Sequence, residues 1–460
     1  MIIAIGVVIV VAAAGVGTFM VLNKDKDSST EINAALEVYG NANNDYKIDD
    51  ADIDIIQKII DKEEGYTADK YPLANAYDPE NTSVDDKDIE QVKKIIAGDD
   101  NGNAFKVWHI NHSTNVDAYP NGTYVADMMW PVQKCIANGA ANALIIYEMV
   151  GIRDKISGIN YSPDSPPDPV VYNYYSKMPS LGTSTNYLTE TLLTQCVANN
   201  PGTTAVITAD NKKYLDGSEG VSEAYIESQL HMDVVRIEHA AVDPDDYSSA
   251  LLMVGFMFKM DTDAQEAADW VTGVFKNITD KTNALEKKVK VAATSYYNYL
   301  SARNSDYADV VVQAGGNYAI DPAKTSSVYF TGSKADPNIL KEENQPELII
   351  ALRTGSGFLK ASWYDDSSKW DVSNMQKHLK NFEVFKCYGE DKVYTISGDM
   401  PIVARVLYSA AIMYPDLFSM EEADDLHQEF VDKFLNGAYK VSDFKFVLSQ
   451  TEINKMTPAA

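Results

Sequence analysis

The stretch that most constrains this chain is Thr262–Leu285, TDAQEAADWVTGVFKNITDKTNAL. Ala264, Ala267, Ala268, Val271, Val274, Phe275, Ile278 and Leu285 recur at three- and four-residue steps, which puts them on one stripe of an α-helix. Thr262 with Gln265, or Asp263 with Glu266, offers a capping-box start. At 1.5 Å per residue the helix runs roughly 35 Å, longer than the average globular helix. Segments reading strand–helix–strand flank it on both sides. The pattern predicts a rigid strut between two α/β lobes.

A chain of 460 residues holds two or three domains with sizeable cores. Its net charge of -28 argues against nucleic acid, because little basic surface is available to displace counterions from phosphates. Cys135, Cys196 and Cys387 are odd in number and far apart, without metal-ligand spacing, and read as buried thiols. Ile2–Leu22 is an unbroken run of apolar or small residues, followed at once by Asn23, Lys24, Asp25, Lys26 and Asp27. About twenty such residues match the hydrocarbon thickness of a bilayer. No basic side chain precedes the run, which favours an uncleaved anchor, while Ala12–Ala14 leaves a cleaved signal peptide open. Either way the remainder is expected to be exported, and with the anchor kept it is held at the plasma membrane facing the cell exterior.

After a short polar stalk comes Asn41-Ala42-Asn43-Asn44-Asp45-Tyr46-Lys47-Ile48-Asp49-Asp50-Ala51-Asp52, then the helical IDIIQKII. Oxygen side chains of Asn41, Asn43, Asp45, Asp49 and Asp52, with Lys47 between them, suit calcium, which takes six to eight oxygens from a short loop. A second copy follows, Val84-Asp85-Asp86-Lys87-Asp88 and then IEQVKKII, with Asn81, Asp85 and Asp88 as its ligand candidates. The pair resembles the duplicated calcium-loop repeat of type I dockerin domains, which implies calcium as cofactor and a cohesin-bearing protein as partner. Tyr46 stands where a loop glycine makes the sharp turn and Asn41 replaces the first aspartate, so calcium is expected to bind weakly. Without metal, the module rests on packing of Ile53, Ile56, Ile59, Ile60, Val92, Ile95 and Ile96.

The main body opens with a strand at Phe105–Ile110, then a helix over Asn138–Val150. Strands are expected at Thr204–Ala209, His231–Glu238, Lys288–Thr294, Pro346–Leu352 and Lys392–Ser397. Helices are expected around Leu188–Val197, Tyr247–Phe258, Pro401–Met413 and Glu421–Leu435. Short strands alternating with helices mean parallel sheets buried on both faces.

The segment ALIIYEMVGIRDKISGI, the loop Pro179-Ser180-Leu181-Gly182, the strut, Ala314-Gly315-Gly316 and LYSAAIMYPDLFSMEEADDLHQEFVDKFL follow one another in a familiar order. Over about Phe105–Asn436 the chain resembles the substrate-binding proteins of ABC importers for iron–siderophores, haem or cobalamin, whose lobes are joined by one long helix. The resemblance implies a non-enzymatic protein that captures a metal chelate and hands it to an ABC permease. It also implies an acidic docking residue on each lobe, matched by Glu190 and Asp336. The organisation expected is an anchor or signal (1–23), a stalk (24–38), the dockerin-like module (39–100), an N-terminal lobe (104–245), connecting helices (246–286), a C-terminal lobe (287–440) and a tail (441–460).

A ligand cleft between such lobes lies at the C-terminal ends of the strands. Aromatics gather where those loops fall: Tyr172, Tyr174 and Tyr175 after SPDSPPDP, and Tyr296, Tyr297, Tyr299 and Arg303 after the first strand of the second lobe. Arg353 ends the next strand, with Trp363 and Tyr364 beyond it. Aromatic faces suit chelate rings, and a guanidinium suits carboxylate or phosphate. His109 and His112 read as polar histidines at the end of the first strand, or as ligands to a metal held by the cargo. No GxxxxGK[ST], HExxH or GxSxG occurs. The alternative to a binding protein is an anchored surface enzyme or scaffold held through dockerin–cohesin pairing.

Overall fold

The computed structural model describes residues 34–80, 83–98, 103–115, 117–139, 141–162, 166–184 and 187–458. The run Ile2–Leu22 lies outside them, as does Asn81. No helix among the described residues is long and apolar enough to cross a membrane.

Two helices, α1 (Asp50–Ile60) and α2 (Asp86–Ala97), begin with the same device. Asp49 and Asp85 cap them, and Asp52 and Asp88 reach back to the cap N–H, closing two capping boxes. The helices pack over Ala42, Ile56, Ala74, Ile89 and Val92. Ile96, expected in that packing, is exposed instead. The predicted stalk is also corrected at its end. Ala34, Ala35, Leu36 and Val38 are buried, and Val38 bridges His109 in antiparallel fashion. Their apolar side chains give the segment a face to bury, which a solvated stalk lacks.

The strand β1 (Phe105–His112) is not the opening strand of the main sheet, as its hydrophobicity suggested. It pairs antiparallel with β2 (Thr123–Trp130), and this ribbon lies along the edge of a separate four-stranded sheet. That sheet holds β3 (Lys134–Asn138), β4 (Ile156–Asn160), β5 (Thr203–Ala209) and β6 (Asp233–Ile237), all parallel, in the order β4-β3-β5-β6. Helices α3 (Ala141–Val150), α4 (Glu190–Asn199) and α5 (Glu223–Leu230) connect these strands. An open edge at β6 would leave backbone groups unpaired. Buried Asn111 serves that edge, donating from Nδ2 to Val234 O (2.8 Å) and accepting from Arg236 N (2.7 Å).

The strut exists as α7 (Asp261–Asn283), with Ala264, Ala267, Ala268, Val271, Val274, Phe275 and Ile278 all buried. Its start differs from the expected capping box. Thr262 and Asp263 already lie inside the first turn, and Met260 caps the helix without a side-chain bond. The reason is a tight hairpin with α6 (Pro244–Phe258), which ends in left-handed Lys259 (φ 58°), leaving no room for a separate cap loop. The crossing depends on Gly255, where a Cβ would lie 2.2 Å from Ala264 Cβ and 3.1 Å from Met260 O. Gly255→Ala is therefore expected to cost about 1–3 kcal/mol through overpacking. Thermal or urea unfolding checks this, and an unchanged midpoint would refute the packing argument.

Beyond α7 lies the second sheet, of β7 (Lys290–Thr294), β8 (Asn317–Tyr318), β9 (Leu348–Arg353), β10 (Val393–Ser397) and β11 (Val447–Ser449), ordered β8-β7-β9-β10-β11. The first four are parallel and β11 is antiparallel. All six residues of β9 are buried, as a parallel strand covered on both faces requires. Its helices are α8 (Asp306–Gln313), α9 (Val372–Lys380), α10 (Ile402–Met413) and α11 (Met420–Phe434). The predicted tail instead supplies β11 and a last helix, α12 (Gln450–Lys455), packed on α9. No strand pairing joins the two sheets among the described residues. Helix α7 touches α3 and α6 on one side and α8 and α10 on the other, and one hydrophobic cluster runs through both halves.

Candidate ligand site

The C-terminal end of β7 carries the most organised aromatic cluster. Thr294 Oγ1 lies 2.6 Å from Tyr296 O and 2.7 Å from Tyr299 O and accepts from Tyr296 N (3.0 Å), folding the loop back on itself. Tyr296 and Tyr297 stack with centroids 4.3 Å apart, and Tyr297 stacks in turn on His378 of α9 at 4.2 Å and 17°. Tyr299 lies parallel to Tyr296 at 6.0 Å. Tyr296 is 44 % exposed, so one end of the ladder is open to solvent.

Arg353, the last residue of β9, holds the ladder from beneath. Its Nη1 donates to Ser295 O (2.8 Å) and its Nη2 lies 3.4 Å from His378 Nδ1. The guanidinium sits 5.4 Å from the Tyr296 ring, 5.9 Å from Tyr297 and 5.8 Å from Phe358. An arginine only donates, so His378 Nδ1 is an acceptor here. Burial, then the neighbouring Arg353, Lys360 and Lys377 charges, lower the His378 pKa to about 4. The imidazole is thus neutral at pH 7. The space enclosed by Tyr296, Tyr297, Arg353, Phe358 and His378 is only about 10 Å³. This is a packed platform and not a pocket.

Other expected site residues fall elsewhere. Trp363 is fully buried and donates from Nε1 to Arg353 O (2.7 Å), bracing the end of β9. Tyr364 is buried among Tyr439, Phe444 and Phe446. Tyr172 and Tyr175 are core residues, while Tyr174 is exposed and meets Tyr175 edge-on. Arg303 pairs with Asp309 (2.7 Å) and lines a separate open groove of about 430 Å³ with Lys288, Asn317 and Tyr318. Glu190 is exposed at the first residue of α4 and accepts from Tyr225 Oη (2.9 Å). Asp336 caps a single turn, Pro337–Leu340, accepting from Asn338 N (2.9 Å).

Residues of the first dockerin-like loop are engaged with one another. Asn41 donates from Nδ2 to Leu36 O (2.7 Å) and Asp45 O (2.6 Å). Asp52 accepts from Asn43 N (3.0 Å) and Asp49 N (2.8 Å), Asp45 accepts from Lys47 N (2.8 Å), and Lys47 Nζ meets Asp49 at 2.5 Å. Burial raises the Asp52 pKa to about 6. Among the described residues no group of three or more His, Cys, Asp or Glu is placed to hold a metal ion. In this arrangement the side-chain oxygens of Asn43, Asp45 and Asp52 already accept backbone N–H groups of the loop.

Neither strand histidine belongs to the ladder. His109 is wholly buried, and burial lowers its pKa to about 4. His112 lies between Glu37 (Nε2–Oε2 2.5 Å) and Glu238 (Nδ1–Oε1 3.1 Å), tying the leading segment to the end of β6. Burial lowers its pKa, but hydrogen bonds and charges of Glu238 and Glu37 outweigh that and raise it to about 10. A histidine with a raised folded-state pKa stabilises fully below its unfolded value near 6.5 and progressively less up to about 10. The stability gap between wild type and His112→Gln is therefore expected to be widest just below pH 6.5 and to close towards pH 10. Melting temperatures across that range test it, and a gap independent of pH would refute it.

The halves meet away from the ladder. Ser362 Oγ donates to Asp168 on the proline-rich loop, and α10 contributes Arg405, which donates from Nε to Met400 O (2.8 Å). Arg405 is buried, with Asp399, Tyr307, Tyr172 and Tyr364 as its electrostatic neighbours. Sequence reasoning passed over both His378 and Arg405. His378 gave no signal, but Arg405 did: it is the single charge in IVARVLYSAAIM, and a lone charge in an apolar helix needs a buried partner.

No protein-family model and no curated protein matches the chain. Among solved structures it is similar to a TroA-like periplasmic binding protein, FepB, of Veillonella parvula, with 17% identity and a TM-score of 0.52 over 71% of this chain and 97% of that one. The molybdate periplasmic binding protein MolA of Haemophilus influenzae follows at 13% identity and 0.49, covering 69% of this chain and 97% of its own. The periplasmic heme binding protein HutB of Vibrio cholerae follows at 14% and 0.45, covering 62% and 99%. The first likeness shows the fold, an α/β architecture of the TroA-like periplasmic binding proteins; the other two superpose too loosely to add to it.

Proposed function

We propose that the chain is a cell-surface substrate-binding protein that captures a metal chelate, an iron–siderophore, haem or cobalamin, for an ABC importer. The observation that carries the reading is the Tyr296–Tyr297–His378 ladder, open to solvent at the strand end where α/β proteins bind ligands. The TroA-like fold supports it, and so does the long α7 packed against helices of both halves, which favours a preformed site over wide hinge closure. The chain acts by binding and not by catalysis. Its permease contacts are assigned to exposed Glu190 and to Asp336, each at the start of a helical turn. An anchor at Ile2–Leu22 would keep the protein at the outer membrane face.

A thermal-shift screen of residues 34–460 against iron–siderophores, haem and cobalamins tests this. The true cargo at 100 times its dissociation constant should add roughly 2.7 kcal/mol of stability. No shift with any chelate, alongside cleavage of a polysaccharide or peptide, would replace the reading with the enzyme alternative.

For the dockerin-like module, the proposal is weak calcium binding at Asn41–Asp52 and no dependence of the fold on the ion. Isothermal titration of the same fragment should give an affinity weaker than about micromolar, the range of calcium sensors. Tighter binding would mean that the loop's hydrogen bonds rearrange readily around the ion. A cohesin-bearing partner stays part of the proposal only if such a domain co-purifies with the fragment.

A further inference from the structure

A guanidinium at the end of a strand, below exposed tyrosines, invites the reading that it grips an anionic group of the cargo. The geometry points to a different role: we infer that Arg353 is a positioning residue that never touches cargo, and that it sets the spacing and tilt of the Tyr296–Tyr297–His378 ladder. The inference rests on the chelate-binding reading above for its consequence, but not for its structural content.

Arg353 is 4 % exposed, and the rings of Tyr296, Tyr297 and Phe358 lie within 6 Å of its guanidinium. Its two Nη atoms are directed at Ser295 O and His378 Nδ1, one at each end of the ladder's support. Ser295 immediately precedes Tyr296, and His378 carries the last ring of the stack. The planar fork thus ties the loop after β7 to α9 across β9, a geometry that lysine, a single point charge, does not reproduce. The backbone of Arg353 is fixed as well: its carbonyl accepts from Trp363 Nε1 (2.7 Å) and Gly398 N (2.7 Å). Gly398 packs directly against it, with a Cβ there 3.1 Å from Arg353 C. With only 4 % of Arg353 exposed, the guanidinium presents almost no surface to a cargo. The cargo surface on this half is then the outer face of Tyr296 and the neighbouring Tyr299, a flat and uncharged platform. It suits a planar aromatic or chelate ring more than a carboxylate.

The test uses two probes that differ only in charge, iron protoporphyrin IX and its dimethyl ester, with wild type, Arg353→Met and Arg353→Lys. Near-ultraviolet circular dichroism, which reports the fixed packing of the tyrosine rings, is recorded on the same proteins without ligand. If Arg353 positions the ladder, both variants should lose much of the tyrosine signal and weaken the two probes by the same factor, about tenfold or more. His378→Phe, which keeps a stacking ring, should retain more of the signal than His378→Ala. A loss confined to the dicarboxylate probe would show that Arg353 grips the cargo and would overturn the inference. An unchanged tyrosine signal in a folded Arg353→Met protein would overturn it equally. If wild type binds neither porphyrin nor any other chelate, the cargo reading falls, while the circular dichroism still decides whether Arg353 positions the rings.

Discussion

Arg405→Ala is expected to be among the most destabilising single changes in the chain, lowering stability by about 3 kcal/mol, the range for truncating a large buried side chain, here with loss of its hydrogen bond to Met400 O. Arg405 is buried, and Asp399, Tyr307, Tyr172 and Tyr364 are the groups that act on it electrostatically, with Tyr172 contributed by the other half. Removing the guanidinium takes a favourable charge away from the Asp399 carboxylate, which burial already shifts upward and which accepts from Gly355 N (2.7 Å). A carboxyl with a raised folded-state pKa is favourable when protonated and loses stability as pH rises. The variant's deficit should therefore be small in acid and grow as pH climbs above the ordinary carboxylate range. Urea unfolding at several pH values measures it. Arg405→Met with Asp399→Asn should recover much of the loss, because no uncompensated charge remains. A deficit below about 1 kcal/mol for Arg405→Ala would show that the buried guanidinium contributes little to stability.

The second large effect concerns function. Replacing Tyr296 and Tyr297 together by alanine should abolish most of the roughly 2.7 kcal/mol that saturating cargo adds. The unliganded melting point should move less, since Tyr296 is 44 % exposed and Tyr297 only half-buried, so neither contributes a full side chain's burial. Tyr174→Ala, on an exposed ring away from the ladder, is the control expected to leave the shift intact. Equal ligand shifts in wild type and double variant would move the site elsewhere, with the open groove at Arg303 and Lys288 the next place to look.

Much of the architecture was legible because periodicity reports burial directly. The stripe from Ala264 to Ile278 predicts α7 and its buried face, and the runs at Thr204–Ala209 and Pro346–Leu352 predict β5 and β9 within two residues. The failures share a cause: they depend on tertiary neighbours. Phe105–His112 has the pattern of a body strand, but only the edge of β6, reached by Asn111, determines that it joins a peripheral ribbon. Val447–Ser449 is three residues long, too short for a period to show, yet it completes the second sheet. The capping box at Thr262 was plausible locally and lost to the hairpin at Gly255.

The candidate site was less legible than the fold. Aromatic composition marked the loop at Tyr296–Tyr299, whose rings stack towards solvent, and equally marked Trp363, Tyr364, Tyr172 and Tyr175, which pack inward. A tyrosine's two faces give no sequence signal of which will meet solvent. The partnership of Arg353 with His378 was invisible for a different reason, since α9 reaches β9 only through the folding of the whole second half.

The bridge between Val38 and His109 has a mechanical consequence. The chain leaves this strand-like segment to build the two-helix module and returns at β1, so entry and exit are side by side. A pull on the N-terminal end would meet the hydrogen bonds from Ile110 N to Glu37 O and from Tyr39 N to Trp108 O, and the His112–Glu37 contact, before it reached α1 or α2. Tension would pass from any tether straight into the two-sheet body, while the helical module rode beside the load path, unstretched.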